Sequence, residues 1–230
     1  MILFLFLLFL CNACANNEIV KLNSTNNIIL RGEINKESTS KFIYDLNLKK
    51  DKNNTILYLN TPGGSVIDGM KIVSEVKKYN MSCIAESAFS MGFIIFQACK
   101  DRLILPHGRL MQHQMALGIM DQKNRIESYM AYINELDEKI TQEQAARINI
   151  TTDEFKNNIK DDWWLYGEKA VEKNCADKIV EVECTRDLTK GTTEVEQGLY
   201  TYKYSNCPLV SQHVSKKKNK NNNEFFIPLF

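Results

Sequence analysis

Residues 55–66 read Thr-Ile-Leu-Tyr-Leu-Asn-Thr-Pro-Gly-Gly-Ser-Val, a short apolar run that stops at a Pro-Gly-Gly turn. The run 55–59 is rich in apolar and aromatic residues, which predicts a buried strand. After the turn, apolar side chains recur at helical spacing over 66–79, at Val66, Met70, Val73 and Val76. A strand, a tight turn and a helix in this order form the first half of a βαβ unit.

The same alternation continues on both sides of this stretch. Further buried strands are predicted at 28–30, 82–85, 103–105 and 178–182, and further helices at 36–48 and from about Met120 to Ile148. Strands that alternate with helices indicate an α/β domain with a largely parallel sheet and right-handed crossovers. The last helix is long enough to project beyond the compact βα part.

The composition describes an ordinary globular domain. The chain has 230 residues, of which 44% are apolar, enough for one sizeable core. Its formal net charge of +1 predicts no polyanion partner, and hence no nucleic acid. The Lys- and Asn-rich end, with Lys216, Lys217, Lys218 and Lys220, lacks a helical or strand period, so the last fifteen or so residues are predicted to be disordered.

The amino-terminal residues resemble a targeting segment. Residues 1–10 are apolar and uncharged, and Ala13-Cys14-Ala15 follows them, which predicts a signal peptide over residues 1–15. The apolar run is short for a membrane span. A buried first strand or a misassigned start is the alternative interpretation.

The seven cysteines follow no zinc-like spacing, because Cys11 and Cys14 have no second C-x-x-C partner. We therefore predict no metal and no other cofactor. Their irregular spacing argues against a disulfide framework, and Cys83 and Cys99 are expected to be small buried hydrophobic residues.

Three short motifs carry the chemistry. The glycine turn 61–65 opens a helix and offers backbone N–H groups to an anion, although Pro-Gly-Gly is also typical of a plain turn. Ser90 lies where a strand turns into a helix, which suits a nucleophile with the Met91 N–H as an oxyanion donor, and equally an N-cap. His113 stands in an apolar run as a candidate base or a structural histidine, and Asp162 is a candidate third member of a triad.

No Lys-Ser or Lys-Thr pair follows the glycines and no G-x-G-x-x-G is present, so the sequence gives no support to nucleotide binding.

Taken together, the motifs resemble those of ClpP, the proteolytic subunit of the Clp protease. The resemblance runs from about residue 28 to 182 and rests on four stretches in family order, namely 60–66, 88–92, 105–114 and 162–170. It implies a ClpP/crotonase-like fold of stacked βαβ units over residues 16–190, with the long helix as a projecting handle and residues 191–230 as a C-terminal extension.

The resemblance also implies a function. By it, Ser90 matches the nucleophile, His113 the general base and Asp162 the residue that orients it, with Asp161 as a competitor, while the N–H groups of Gly64 and Met91 match the oxyanion hole. The expected protein is a serine endopeptidase that cleaves polypeptides inside a homo-oligomeric ring, in one or two stacked layers. A AAA+ unfoldase is a possible partner by the same resemblance.

Two alternatives stay open, a non-catalytic ring subunit and a crotonase-type acyl-CoA enzyme. The compartment is open as well, because the leader indicates secretion or a membrane and the family indicates cytoplasm or an organelle.

Overall fold

A computed structural model describes residues 17–219 as a mixed α/β fold with a seven-stranded and a three-stranded sheet. The predicted signal peptide, residues 1–15, lies outside the described residues. The strands are β1 (Glu18–Leu22), β2 (Asn27–Arg31), β3 (Ile56–Thr61), β4 (Ser82–Phe89), β5 (Arg102–Gln112), β6 (Trp163–Tyr166), β7 (Lys178–Cys184), β8 (Thr192–Gln197), β9 (Tyr200–Ser205) and β10 (His213–Lys218). The helices are α1 (Lys36–Leu48), α2 (Val66–Lys78), α3 (Met91–Gln97), α4 (Lys123–Ile148), α5 (Thr152–Asn158), α6 (Gly167–Glu172) and α7 (Arg186–Lys190).

The large sheet has the strand order β1-β7-β5-β4-β3-β2, and every neighbouring pair along it is parallel. Strand β6 pairs antiparallel with the far end of β5. The predicted α/β class with a largely parallel sheet is therefore confirmed. Parallel neighbours need long crossovers, which α1, α2 and α3 supply between β2, β3, β4 and β5.

The helices begin where the sequence offers caps. Asn35 forms a capping box with Ser38 at the start of α1, and the Ser65 side chain accepts from the Asp68 N–H at the start of α2, at 3.2 Å. The long helix is also confirmed, although α4 begins at Lys123, three residues after the expected Met120. Its C-terminal half is anchored by buried residues, whereas residues 123–132 are mostly exposed.

Hydrophobic cores lie on both faces of the large sheet. Alternation along β3 sends Leu57 and Leu59 into the core beneath α1, α2 and α3, and sends Tyr58 to the opposite face. On that second face, a smaller cluster joins the sheet to α7 and the segment after β9, through Leu22, Tyr58, Ile84, Leu105, Leu188 and Cys207.

The expectation of disorder from about residue 216 is wrong for the described part of the tail. Strand β10 holds Lys216, Lys217 and Lys218 and pairs antiparallel with β9. The Lys216 ammonium lies 3.9 Å from the centre of the Tyr200 ring, a cation–π contact that suits an exposed edge strand. Residues 220–230 lie outside the described range.

The expectation that the cysteines form no disulfides is also wrong. Cys83 bonds to Cys99 and Cys184 bonds to Cys207. Cys83 and Cys99 are buried, as expected, but as partners in a bond that ties β4 to the end of α3. The sequence separations of 16 and 23 residues gave no indication of these contacts, because the fold brings the partners together.

Within residues 17–219, no helix has the length and apolar character needed to cross a membrane.

Candidate active site

The Pro-Gly-Gly turn lies directly against Ser90. Gly63 and Gly64 have φ angles of +93° and +144°, which residues other than glycine rarely adopt. A Cβ atom on Gly63 would lie 2.6 Å from the Phe89 carbonyl oxygen and 2.8 Å from the Ser90 Cβ. Only glycine lets the turn approach the serine this closely.

Hydrogen bonds from the loop after β2 hold the turn in place. The Ile34 N–H donates to the Gly63 carbonyl at 2.8 Å, and the Ser65 N–H donates to the Ile34 carbonyl at 2.7 Å. Between these two bonds, the Gly64 N–H donates no hydrogen bond to any of residues 17–219. One donor of the turn is therefore fixed in position but unused.

Ser90 is the residue between β4 and α3, and its backbone has a positive φ of +52° with a ψ of −117°. Its N–H donates to the Met111 carbonyl of β5 at 2.9 Å, which anchors this conformation. Ser90 occupies the N-cap position of α3, but its side chain makes no capping hydrogen bond to the helix. A strained serine on a sharp strand-to-helix turn is the arrangement of a nucleophile elbow.

A second unused donor lies beside Ser90. The Met91 N–H has no acceptor among the described residues, and its nitrogen is 3.1 Å from the position that a Gly63 Cβ would take. The unused N–H groups of Gly64 and Met91 thus belong to two segments that pack against each other at Ser90. Two free backbone donors beside a candidate nucleophile are what an oxyanion requires.

His113 directly follows β5 and is half-buried. Its Nδ1 lies 2.6 Å from the Gln114 carbonyl oxygen. A carbonyl can only accept, so Nδ1 carries the proton in this contact and the Nε2 of the neutral ring is left as an acceptor. That tautomer is the one a general base needs.

Asp162 directly precedes β6 and is exposed. In the antiparallel pairing of β5 and β6, Gln112 lies opposite Trp163. His113 and Asp162 are the residues that adjoin this last pair, one in each segment. The register favours Asp162 over Asp161 as the partner of the histidine.

The structure does not join the side chains of these residues by hydrogen bonds. Among the hydrogen bonds of residues 17–219, none links Ser90, His113 and Asp162 to one another. The His113 ring is held by Gln114 instead.

Aromatic side chains surround the site. Phe89 and Trp164 are in edge contact, with ring centres 5.1 Å apart, on the sheet face that Met111 shares. Trp163 points to the other face, where it meets Phe93 and Phe155.

Gln112, a buried amide immediately before His113 that hydrogen-bonds its neighbour, was not predicted as a site residue. The available signal was its position next to His113 within the stretch 105–114.

Other chemistries find less support in residues 17–219. Cys175 is the free cysteine there, and burial raises the pKa of its thiol to about 12, so it is a poor nucleophile. The same residues contain no group of three or more His, Cys, Asp or Glu side chains placed to hold a metal ion. A cavity of about 470 Å³ between α2, α3 and α4 is lined by none of the predicted site residues.

Comparison with known proteins identifies the family. The sequence profile of the Clp protease family matches residues 12–183, which is most of the chain. A similar curated protein is the ATP-dependent Clp protease proteolytic subunit 2 of Tropheryma whipplei (strain Twist), 27% identical over 139 residues that cover 58% of this chain and 77% of the relative. The chain belongs to the Clp protease family.

Proposed function

We propose that the chain is a serine endopeptidase that cleaves polypeptides with Ser90 as its nucleophile. The observation that carries the proposal is Ser90, which has a positive φ and packs against the glycine turn, while the N–H groups of Gly64 and Met91 donate to none of residues 17–219. A protease is the activity that family membership supports, and the serine chemistry is inferred from the local geometry.

In the proposed reaction, the Ser90 oxygen attacks a peptide carbonyl carbon while its proton passes to Nε2 of His113. The N–H groups of Gly64 and Met91 donate to the oxyanion. His113 then gives the proton to the leaving amine, and water hydrolyses the acyl-enzyme. For efficient turnover, Nδ1 of His113 exchanges the Gln114 carbonyl for the Asp162 carboxylate, which stabilises the imidazolium.

Self-association into a ring, with α4 at the contacts between layers, belongs to the same proposal, as does partnership with a AAA+ unfoldase. The name of the bacterial relative describes an ATP-dependent protease. The long α4 supports the proposal through its exposed outer half, residues 123–132, which is free to meet other subunits.

A non-catalytic assembly subunit is the second candidate, because Ser90, His113 and Asp162 are not hydrogen-bonded to one another in residues 17–219. The family match favours either of these over an acyl-CoA enzyme.

Labelling by a fluorophosphonate probe, read by intact mass, tests the proposal on the purified full-length chain. We expect one adduct, which is lost in Ser90→Ala and His113→Ala and is retained in Ser87→Ala, a serine three residues away. Asp162→Asn should slow labelling on the order of 10²-fold or more, since it removes the group that orients the base. Asp161→Asn should not.

Absence of an adduct on folded, self-associated protein would leave the assembly subunit as the better description. An adduct that survives Ser90→Ala would assign the nucleophile elsewhere.

A further inference from the structure

Two buried amides meet in the core beside the candidate base. Gln112, the last residue of β5, and Gln144, on the inner half of α4, are each only 4% exposed. The Gln112 Nε2 donates to the Gln144 Oε1 at 2.7 Å. This bond is a buried polar contact between the sheet and the long helix.

The amide pair continues into the backbone of His113. The His113 N–H donates to the Gln112 Oε1 at 3.2 Å, and the Gln144 Nε2 donates to the Ile140 carbonyl within α4 at 3.3 Å. Each amide oxygen thus accepts and each amide nitrogen donates. These hydrogen bonds form one series, in which each donor points from His113 through Gln112 and Gln144 towards the helix backbone.

Burying two amides removes them from water, so each must find hydrogen-bond partners within the protein. The neighbours of the two amides along their own elements include buried Leu110, Ala145 and Ile148, which need no polar partner. A leucine pair at 112 and 144 would bury similar surface without any hydrogen bond to satisfy. A hydrogen bond between amides is directional, so this pair is satisfied at only one position of α4 relative to the end of β5.

We propose that Gln112 and Gln144 are positioning residues for His113. They fix the backbone at residue 113 relative to α4, and with it the point from which the imidazole reaches Ser90 and Asp162. The role rests on the proposed hydrolysis, in which the position of the base controls the rate, since a displacement of about 1 Å can cost about 10²-fold in rate.

The test compares the double variant Gln112→Leu/Gln144→Leu with Gln142→Ala, which removes an exposed glutamine of the same helix. The double variant should keep the melting temperature within a few degrees, since both polar partners are replaced together. Its kcat for a fluorogenic peptide should fall about 10- to 100-fold with KM unchanged. Gln144→Glu, which keeps an acceptor for the Gln112 amide, should recover part of that loss.

Two results would overturn the role. One is a double variant with the kcat of the parent protein. The other is a loss of kcat of the same size in Gln142→Ala, which would make the effect a general property of α4.

A second readout separates this inference from the proposed function. The chain has three histidines, so the His113 ring carbon resonances can be assigned by NMR. In the double variant, the His113 resonances should move while those of His107 stay. If the parent protein takes no fluorophosphonate, the proposed hydrolysis fails and this measurement alone decides whether the amides position His113; unmoved resonances reject it.

Discussion

Ser90 keeps a backbone conformation that costs on the order of 1–3 kcal/mol for a residue other than glycine. Neighbouring groups impose it, namely the hydrogen bond from its N–H to the Met111 carbonyl and the close packing of Gly63 on its other side. In this conformation the Ser90 side chain makes no capping hydrogen bond to the helix that follows.

The close approach of the glycine turn to Ser90 can be tested by adding a single methyl group at Gly63. In Gly63→Ala, the new Cβ would lie 2.6 Å from the Phe89 carbonyl oxygen, so the turn must withdraw from Ser90. We expect fluorophosphonate labelling to fall at least about tenfold, because an oxyanion donor is typically worth about 2.7–4 kcal/mol. Gly32→Ala is the control, since Gly32 also has a positive φ, +79°, but has open space around its Cβ position. Equal losses in both variants would trace the effect to backbone strain alone.

At the scale of elements, the base of α4 is fastened to the sheet by ionic groups. Nη2 of the buried Arg102 of β5 donates to Oδ1 of Asp177 at 2.5 Å, and Nη2 of Arg147 on α4 lies 3.5 Å from Oδ2 of the same carboxylate. Burial acts to raise the pKa of Asp177, but its hydrogen bonds with Arg102 and the nearby guanidinium charges outweigh burial, so the net pKa lies below the usual value.

This shift predicts acid sensitivity. A carboxyl whose pKa is lower in the folded state stabilises the fold fully above its ordinary value of 3.8 and loses that contribution as the pH falls through the lowered value. Urea unfolding should therefore show stability falling more steeply below about pH 4 in the parent protein than in Asp177→Asn. Parallel curves for Asp177→Asn and the parent would contradict the assignment.

Elements whose stability is encoded locally could be predicted from the sequence. Strands β2 to β5 and helices α1 and α2 follow from hydrophobic period and caps. Strand β10 does not, because all six of its residues are exposed and only pairing with β9 makes it a strand. The two disulfides and the Gln112–Gln144 pair could not be predicted either, since each depends on which elements the fold places together.

The candidate site divides in the same way. The motif residues could be named from the sequence, and the glycine turn does meet Ser90. The orientation of the His113 ring could not be predicted, because its Nδ1–H contacts the neighbouring Gln114 carbonyl instead of the Asp162 carboxylate.

At the scale of the whole molecule, the segment after β7 closes one face of the sheet. The family match ends at residue 183, and the chain beyond it supplies Leu188 and Cys207 to the cluster around Tyr58. Arg31 of β2 donates to the carbonyls of Pro208 and Val210, at 2.6 and 3.3 Å, which adds polar contacts at the margin of this cluster. The segment behaves as part of the fold.

The Cys184–Cys207 bond should contribute to global stability. Closing a loop of 23 residues is worth about 3 kcal/mol in the chain-entropy model. Cys184→Ser/Cys207→Ser should lower the free energy of unfolding by about that amount and still label at Ser90, which lies on other elements. Cys175→Ser, at a buried thiol outside both bonds, is the comparison. Unchanged stability in the double variant would show that packing alone holds the segment.

That bond also determines how the protein behaves once its backbone is cut. Cys184 ends the last strand of the large sheet, while Cys207 follows β9, so the whole connection between them is a closed ring. A nick anywhere inside the ring leaves two polypeptides that remain one particle. Such a clipped molecule would migrate as intact on a non-reducing gel and separate into two bands only after thiol treatment.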